Sequence, residues 1–140
     1  HGDAHGGNIY FTGGNGDDNV EEVGLLDWQT YSYGNPIGDV ASVLFNCLSK
    51  SDFIDHREDL MDAYIQALRR RGVEAYITRD MIVEGLYLKA GYYFSGLLFA
   101  FDLVGDDKHQ QEMLLEGWKS FNEKAEIMDL ASNIEKFLHQ

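Results

Sequence analysis

The sequence predicts a mainly helical α+β fold, and three observations favour this class. Two short apolar runs near the start flank a stretch rich in Gly, Asn and Asp, and apolar residues recur every three or four positions after Pro36. In addition, 44% of the 140 residues are hydrophobic and 13% are aromatic, which argues against a disordered chain. The length corresponds to one domain.

Composition also narrows the choice of partners. The chain has 24 acidic and 11 basic residues, for a formal charge of −13, so it would be repelled by nucleic acid and by anionic membranes. Its longest apolar stretch, residues 90–101, is shorter than the roughly 20 residues that span a bilayer. The single cysteine, Cys47, has no internal disulfide partner. We therefore expect a cytoplasmic protein with neither nucleic-acid nor membrane partners.

The β part of the fold is predicted at the start of the chain. The runs 8–11 and 23–26 have the composition of short strands, and residues 12–19, TGGNGDDN, have the composition of a turn. The glycines of this turn match neither the dinucleotide fingerprint nor the phosphate-binding P-loop. We expect an antiparallel hairpin.

The helical part begins after Pro36, which fits the first turn of a helix. The first helix is predicted over 37–48, and Ser51 or Asp52 is the expected cap of the second, which ends at three arginines and Gly72. A third helix should run from Thr78 to residue 103. Because its aromatic and small residues lie all around it, we expect it to be central. Three of its glycines should allow close approach of a neighbour: Gly85, Gly91 and Gly96.

The last segment is predicted to be one long amphipathic helix, or two helices joined near Asn122. Its apolar residues recur at helical spacing from Leu114 to Ile134.

The first eight residues, HGDAHGGN, carry most of the chemistry that the sequence suggests. One hypothesis treats His1, Asp3 and His5 as three zinc ligands with an open site for water, as in a zinc hydrolase. The other hypothesis combines Asp3 and Asn8 with Asp27, which follows the second strand. Phosphoryl transfer needs a carboxylate near the attacking hydroxyl and oxygen ligands for magnesium, and a hairpin would bring these three residues to one end.

The motifs resemble those of a known family. HGDAHGGN is similar to the HGDxxxxN catalytic loop of the aminoglycoside phosphotransferase and choline kinase-like superfamily, which shares the protein-kinase fold. The segment LLDWQTYSYGNPIGDVASVL resembles the stretch that follows in that superfamily, and its DWQ form is most similar to the ecdysteroid-kinase-like (CHK) branch. The two motifs cover residues 2–44.

The resemblance implies a role for each motif residue. Asp3 would be the catalytic base or the residue that orients the hydroxyl, and Asn8 and Asp27 would bind Mg²⁺, with Asp27 bridging to the β- and γ-phosphates of ATP. His1 would brace the loop. Asp39 would accept hydrogen bonds from backbone N–H groups of the loop, although a plain acidic residue at a helix start is an alternative. His5 would contact the transferred phosphoryl group, the substrate or its packing neighbours.

The resemblance also implies an organisation for the whole protein. Residues 1–140 would form the C-terminal catalytic and substrate lobe, with a short β-hairpin after the catalytic loop. The nucleotide-binding N-terminal lobe, with its phosphate-pairing Lys, would lie in the missing part of the chain, so we expect the fragment alone to be inactive.

The expected reaction of the complete protein is ATP- and Mg²⁺-dependent phosphorylation of a small-molecule hydroxyl. A non-catalytic, kinase-like binding module is the alternative. The acceptor pocket would be built from the helical region. Its candidate lining residues are Tyr87, Tyr92, Tyr93 and Trp118, although core packing is the more usual role of such aromatic residues and is expected for most of them.

Overall fold

The computed structural model describes residues 1–13, 22–73, 77–130 and 133. It has two antiparallel strands, β1 (Ile9–Thr12) and β2 (Glu22–Leu25), followed by four helices. The helices are α1 (Ile37–Cys47), α2 (Lys50–Arg70), α3 (Arg79–Val104) and α4 (Lys108–Ile127). This confirms the mainly helical α+β class. Residues 14–19 of the predicted turn and Ile134 lie outside the described residues.

The hairpin has a fixed register in which Ile9 pairs with Leu25 and Thr12 with Glu22. Each strand is displaced by one position from the prediction, because Asn8 belongs to a 3-10 turn and Leu26 lies beyond the last pair. The backbone N–H of Leu26 nevertheless donates to the carbonyl of Asn8 at 2.8 Å. The open end of the hairpin therefore joins the first eight residues to the segment that begins at Asp27.

Polar side chains cap the starts of three helices. Thr78 and Asp107 each accept from the N–H three residues on and so cap α3 and α4. At the start of α1 the cap residue is Pro36, and the side chain of Asn35 before it accepts from the N–H of Ile37 at 3.0 Å. The predicted cap of α2 is wrong by two or three residues. Ser49 is the cap, accepting from the N–H of Asp52 at 3.1 Å, while its hydroxyl donates to the Asp52 carboxylate at 2.7 Å. This reciprocal pair satisfies an N–H group that the helix leaves unpaired.

The core lies where α1, α2, α3 and the end of α4 meet. α1 packs mainly on α3, and α3 packs on α4. Gly85 of α3 makes the first of these contacts possible, since a Cβ there would lie 2.3 Å from Cγ2 of Ile37. For Gly91 and Gly96, no atom of the described residues lies within 4 Å of such a Cβ, so the expectation of close approach is wrong for both within this part of the chain. The buried residues of the core are Ile37, Ala41, Leu44, Phe45, Met61, Ile65, Ile77, Ile82, Leu86, Ala90, Phe121 and Leu130.

The expected central position of α3 holds only for its first half. Ile82, Leu86 and Ala90 are buried, whereas Tyr92, Phe99 and Leu103 are each more than 60% exposed. α3 is apolar around its whole circumference, but its neighbours cover only one side of its second half. α4 runs without a break through Asn122, so of the two predicted arrangements the continuous helix is present as far as Ile127.

Lys124 is buried in this core, with 2% of its surface exposed. Its ammonium group donates to the carbonyl of Phe45 at 2.5 Å. Phe45 lies in the last turn of α1, where carbonyl groups have no partner within the helix. Burial lowers the pKa of Lys124, although the nearby Cys47 and Glu123 oppose this shift. Lys124 therefore serves as a long-range cap for the C-terminal end of α1.

No helix among the described residues has the length and apolarity needed to cross a membrane.

Candidate functional site

The loop of residues 1–8 is attached to α1 by Asp39. The backbone nitrogens of His1 and Gly2 donate to the two carboxylate oxygens of Asp39 at 2.6 and 2.8 Å. Asp39 also lies in the first turn of α1, where the helix dipole favours a negative charge. The Asp39 carboxylate therefore accepts hydrogen bonds from the loop and also lies in the first turn of a helix. These are the two alternatives that the sequence left open for this residue.

The ring of His1 connects this loop to the segment after β2. Its Nδ1 accepts from the backbone N–H of Asp3 at 3.2 Å, and its Nε2 lies 2.8 Å from the carbonyl oxygen of Leu26. Because a carbonyl can only accept, Nε2 carries the proton, and the ring is the neutral Nε2–H tautomer. The indole of Trp28 packs on the ring, with centroids 4.7 Å apart. Both nitrogens of His1 are thus engaged in holding backbone segments together.

Gly2 lies at a close crossing of these segments. Its φ is +89°, and a Cβ at this position would lie 2.7 Å from the carbonyl oxygen of Thr30. The hydroxyl of Thr30 in turn donates to the carbonyl of His1 at 3.0 Å. Only glycine suits both the backbone angle and the spacing.

We expect Gly2→Ala to lower the free energy of unfolding by about 1–3 kcal/mol, since it combines a strained φ with overlap against backbone atoms. Thermal and denaturant unfolding measure the change. Gly38→Ala is the matched control, because a Cβ on Gly38 in α1 has no atom within 4 Å. Equal stability of the two variants would contradict this account of Gly2.

Asp3 and Asn8 are brought together at the end of the loop. The amide nitrogen of Asn8 donates to the backbone carbonyl of Asp3 at 3.0 Å and lies 3.5 Å from its carboxylate. Asn8 is 8% exposed, whereas Asp3 is exposed to solvent. Asn8 therefore fixes the backbone of Asp3 and leaves its carboxylate accessible. The amide oxygen of Asn8 is the atom that a cation would contact.

His5 stands beside the Asp3 carboxylate. Its Nδ1 accepts from the N–H of Gly7 at 3.1 Å, which caps the 3-10 turn Gly6–Asn8. Its Nε2 lies 3.6 Å from Oδ2 of Asp3, beyond hydrogen-bond distance. His5 is held by the loop and directed at Asp3.

Asp27 has a backbone conformation that few residues other than glycine adopt. Its φ is 57° and its ψ is 66°, and it precedes the 3-10 turn Trp28–Thr30. The side-chain amide of Gln29 donates to its carboxylate at 3.3 Å, and Trp28 Nε1 donates to the carbonyl of Leu25 at 3.0 Å. Strained residues of this kind concentrate at functional sites. Local contacts thus hold Asp27 at the end of the hairpin that also carries Asn8.

The donor set fits magnesium better than zinc. Mg²⁺ takes oxygen ligands and is usually held by one or two protein groups together with phosphates and water, which Asn8 and Asp27 would provide. Within 1–13, 22–73, 77–130 and 133, no group of three or more His, Cys, Asp or Glu residues has the arrangement of a metal site. The zinc hypothesis for HGDAH also needs a ring nitrogen of His1, and both are already hydrogen-bonded.

Several contacts at the site could not be predicted from the sequence. The sequence predicts no role for Trp28 or Gln29, although both directly follow Asp27. Cys47, at the end of α1, lies under the loop, with its sulfur 3.9 Å from a Cβ built on Gly6. Burial raises the pKa of the Cys47 thiol, and the charge of Lys124 opposes this shift. A half-buried cysteine in the last turn of a helix gives no local sign of such a contact.

Two cavities lie near the candidate acceptor residues. One, of about 220 Å³, lies between α1, α3 and α4 and includes Tyr93 in its lining. A larger cavity, of about 700 Å³, lies between α3 and the end of α4, and none of its lining residues belongs to the loop. Of the other candidates, Tyr92 is exposed, Tyr87 donates to the carbonyl of Met128 at 3.5 Å, and Trp118 packs on Phe94 with centroids 5.6 Å apart.

Comparisons with known proteins bear on the same part of the chain. No curated protein and no solved structure matches the sequence. The family model of the ecdysteroid kinase-like family matches residues 1–74, which include the loop, the hairpin, α1 and α2. That match extends over more than half of the 140 residues, and the chain belongs to the ecdysteroid kinase-like family.

Proposed function

We propose that this chain carries the acceptor-activating and magnesium-binding residues of a small-molecule kinase that transfers the γ-phosphoryl group of ATP to a hydroxyl. One observation carries the proposal. Asp3 is hydrogen-bonded to Asn8, and Asn8 is hydrogen-bonded through its backbone to Leu26, the residue before Asp27. Membership of a kinase-like family supports the same reaction.

Each residue has a chemical task in the proposed reaction. Asp3 is exposed and accepts the proton of the acceptor hydroxyl while orienting its oxygen towards the γ-phosphorus. The acceptor oxygen forms a bond to that phosphorus as the bond to the β–γ bridging oxygen breaks, and ADP leaves. Asn8 and Asp27 would hold Mg²⁺, which would neutralise the charge on the phosphate oxygens. His1, Gly2 and Asp39 keep the loop in place and take no part in proton transfer.

The test is a screen of the full-length protein with Mg·ATP and a panel of hydroxyl compounds. The panel contains amino sugars, amino alcohols, sterols and simple ring alcohols, and phosphorylated products are detected by mass spectrometry. Appearance of a phosphate monoester that requires Mg²⁺ would support the proposal. Release of inorganic phosphate without any phosphorylated acceptor across the whole panel would count against it.

The same screen bears on the remaining expectations. A nucleotide-binding lobe elsewhere in the same polypeptide would be indicated by activity in the full-length protein and none in residues 1–140 alone.

A further inference from the structure

The cleft of about 220 Å³ lies beside the last turn of α1, the turn that also contacts the catalytic loop through Cys47. It lies between α1, α3 and α4, and Asn46 forms part of its rim. Asn46 precedes Cys47, which lies under Gly6 in the middle of the loop. The last turn of α1 is therefore shared between the loop and the cleft.

Tyr93 stands in the wall of this cleft. Its ring stacks on Phe45, with centroids 6.0 Å apart and an interplanar angle of 13°. Its hydroxyl lies 3.4 Å from Oγ of Ser42, a long contact that leaves the hydroxyl able to form a second hydrogen bond. Burial raises the pKa of Tyr93, the hydrogen bond with Ser42 opposes this, and the negative charge of Asp3 raises it further. The ring of Tyr93 is therefore fixed against α1, and its hydroxyl keeps the capacity to bond a ligand.

The lining of the cleft combines buried or half-buried apolar side chains with polar side chains nearer the surface. Phe45, Phe121 and Leu97 supply the apolar surface, and Asn46, Ser120 and the hydroxyl of Tyr93 supply the polar groups. Small-molecule sites have this combination, in which apolar surface gives affinity and a few polar groups fix orientation. Since a cavity of about 150 Å³ is enough to bind benzene, the cleft has room for one or two rings.

We infer that this cleft binds the apolar ring portion of the acceptor alcohol and that the Tyr93 hydroxyl orients the polar end of the same molecule. This inference rests on the proposed phosphoryl transfer. Tyr93 is then a specificity-determining residue. The neighbouring Tyr92 does not line the cleft and is 68% exposed.

The first test measures binding and does not depend on turnover. The probe is 2-naphthalenemethanol, which has two fused rings and one hydroxyl, and its affinity for the full-length protein is measured by calorimetry without ATP. Gly117→Leu places a side chain in the cleft, where a Cβ would lie 3.5 Å from Leu97. We expect it to weaken binding at least about tenfold by excluding the rings. Gly96→Leu is the control, since Gly96 faces open space on α3.

The second test isolates the hydroxyl of Tyr93. Tyr93→Phe keeps the ring on Phe45, so it should weaken 2-naphthalenemethanol by about fivefold and leave its analogue without the hydroxyl, 2-methylnaphthalene, unchanged. Tyr92→Phe should change neither affinity. Equal loss for both probes would show that Tyr93 acts only by packing and would overturn its assignment.

The assignment of the cleft and the proposed phosphoryl transfer are contradicted by different results. No binding of the probe by the wild-type protein, or equal binding by Gly117→Leu and Gly96→Leu, would overturn the assignment of the cleft. Those results leave phosphoryl transfer to be judged by the product screen, which includes alcohols that this cleft does not fit.

Discussion

Asp3→Asn in the full-length protein should lower the rate of phosphoryl transfer by about 10²- to 10⁴-fold, the usual contribution of a general base. The substitution removes the negative charge that accepts the hydroxyl proton. It leaves the loop intact, because Asn8 is hydrogen-bonded to the backbone carbonyl of Asp3 and the Asp3 N–H is bonded to His1. The measurement is steady-state turnover of whichever acceptor the product screen identifies.

The affinity for Mg·ATP separates this role from a structural one. Asp3→Asn should keep the wild-type dissociation constant to within about twofold, because it removes an interaction made during the reaction and not in the bound state. Asp102→Asn makes the same change of charge at an exposed position on α3 and should alter neither quantity. Turnover at the wild-type rate in Asp3→Asn would disprove the assignment of Asp3 as the base.

Removal of the Asp27 carboxylate should weaken the binding of Mg·ATP at least about tenfold, equivalent to about 1.4 kcal/mol. The reason is that Asp27 is proposed as a magnesium ligand, so its carboxylate would hold the phosphates of ATP through the metal ion. Titration calorimetry with and without Mg²⁺ measures the effect. In EDTA, the wild-type protein and the variants should bind ATP with the same weak affinity.

Two substitutions of Asp27 distinguish ligation from backbone strain. Both Asp27→Gly and Asp27→Ala lack the carboxylate, but only glycine adopts a φ of 57° without strain. We expect Asp27→Ala to unfold with about 1 kcal/mol less free energy than Asp27→Gly, while both lose nucleotide affinity equally. If affinity instead followed stability across the pair, Asp27 would be a structural residue.

The sequence predicts those parts of the fold that depend on local chemistry. Glycine and asparagine between apolar runs predicted the hairpin, and helical spacing after Pro36 predicted the four helical segments. Ser49 was missed as a cap because three neighbouring polar residues, Ser49, Ser51 and Asp52, are chemically suitable. Only the contacts in the structure show that Ser49 is the cap and Asp52 its reciprocal partner.

Contacts between distant residues could not be predicted in this way. Lys124 is 79 positions from Phe45, and nothing in its local sequence indicates that it is buried. The exposed second half of α3 was missed for the same reason: a helix that is apolar on all sides does not indicate which side its neighbours cover. At the candidate site, the motifs indicated which residues belong together, whereas the tautomer of His1 and the backbone angle of Asp27 depend on the folded geometry.

The loop that carries Asp3 is attached to one helix on both sides of Asp3. Asp39, in the first turn of α1, holds His1 and Gly2, and Cys47, at its last position, lies under Gly6. α1 is itself fixed at the centre of the core by Ile37, Ala41, Leu44 and Phe45. Gly2, Asp3, Gly6 and Gly7 are exposed to solvent, yet the helix that holds Gly2 is part of the folded core. We therefore expect the amide hydrogen of Gly2 to exchange more slowly than its solvent exposure alone would allow, because its hydrogen bond to Asp39 has to break first.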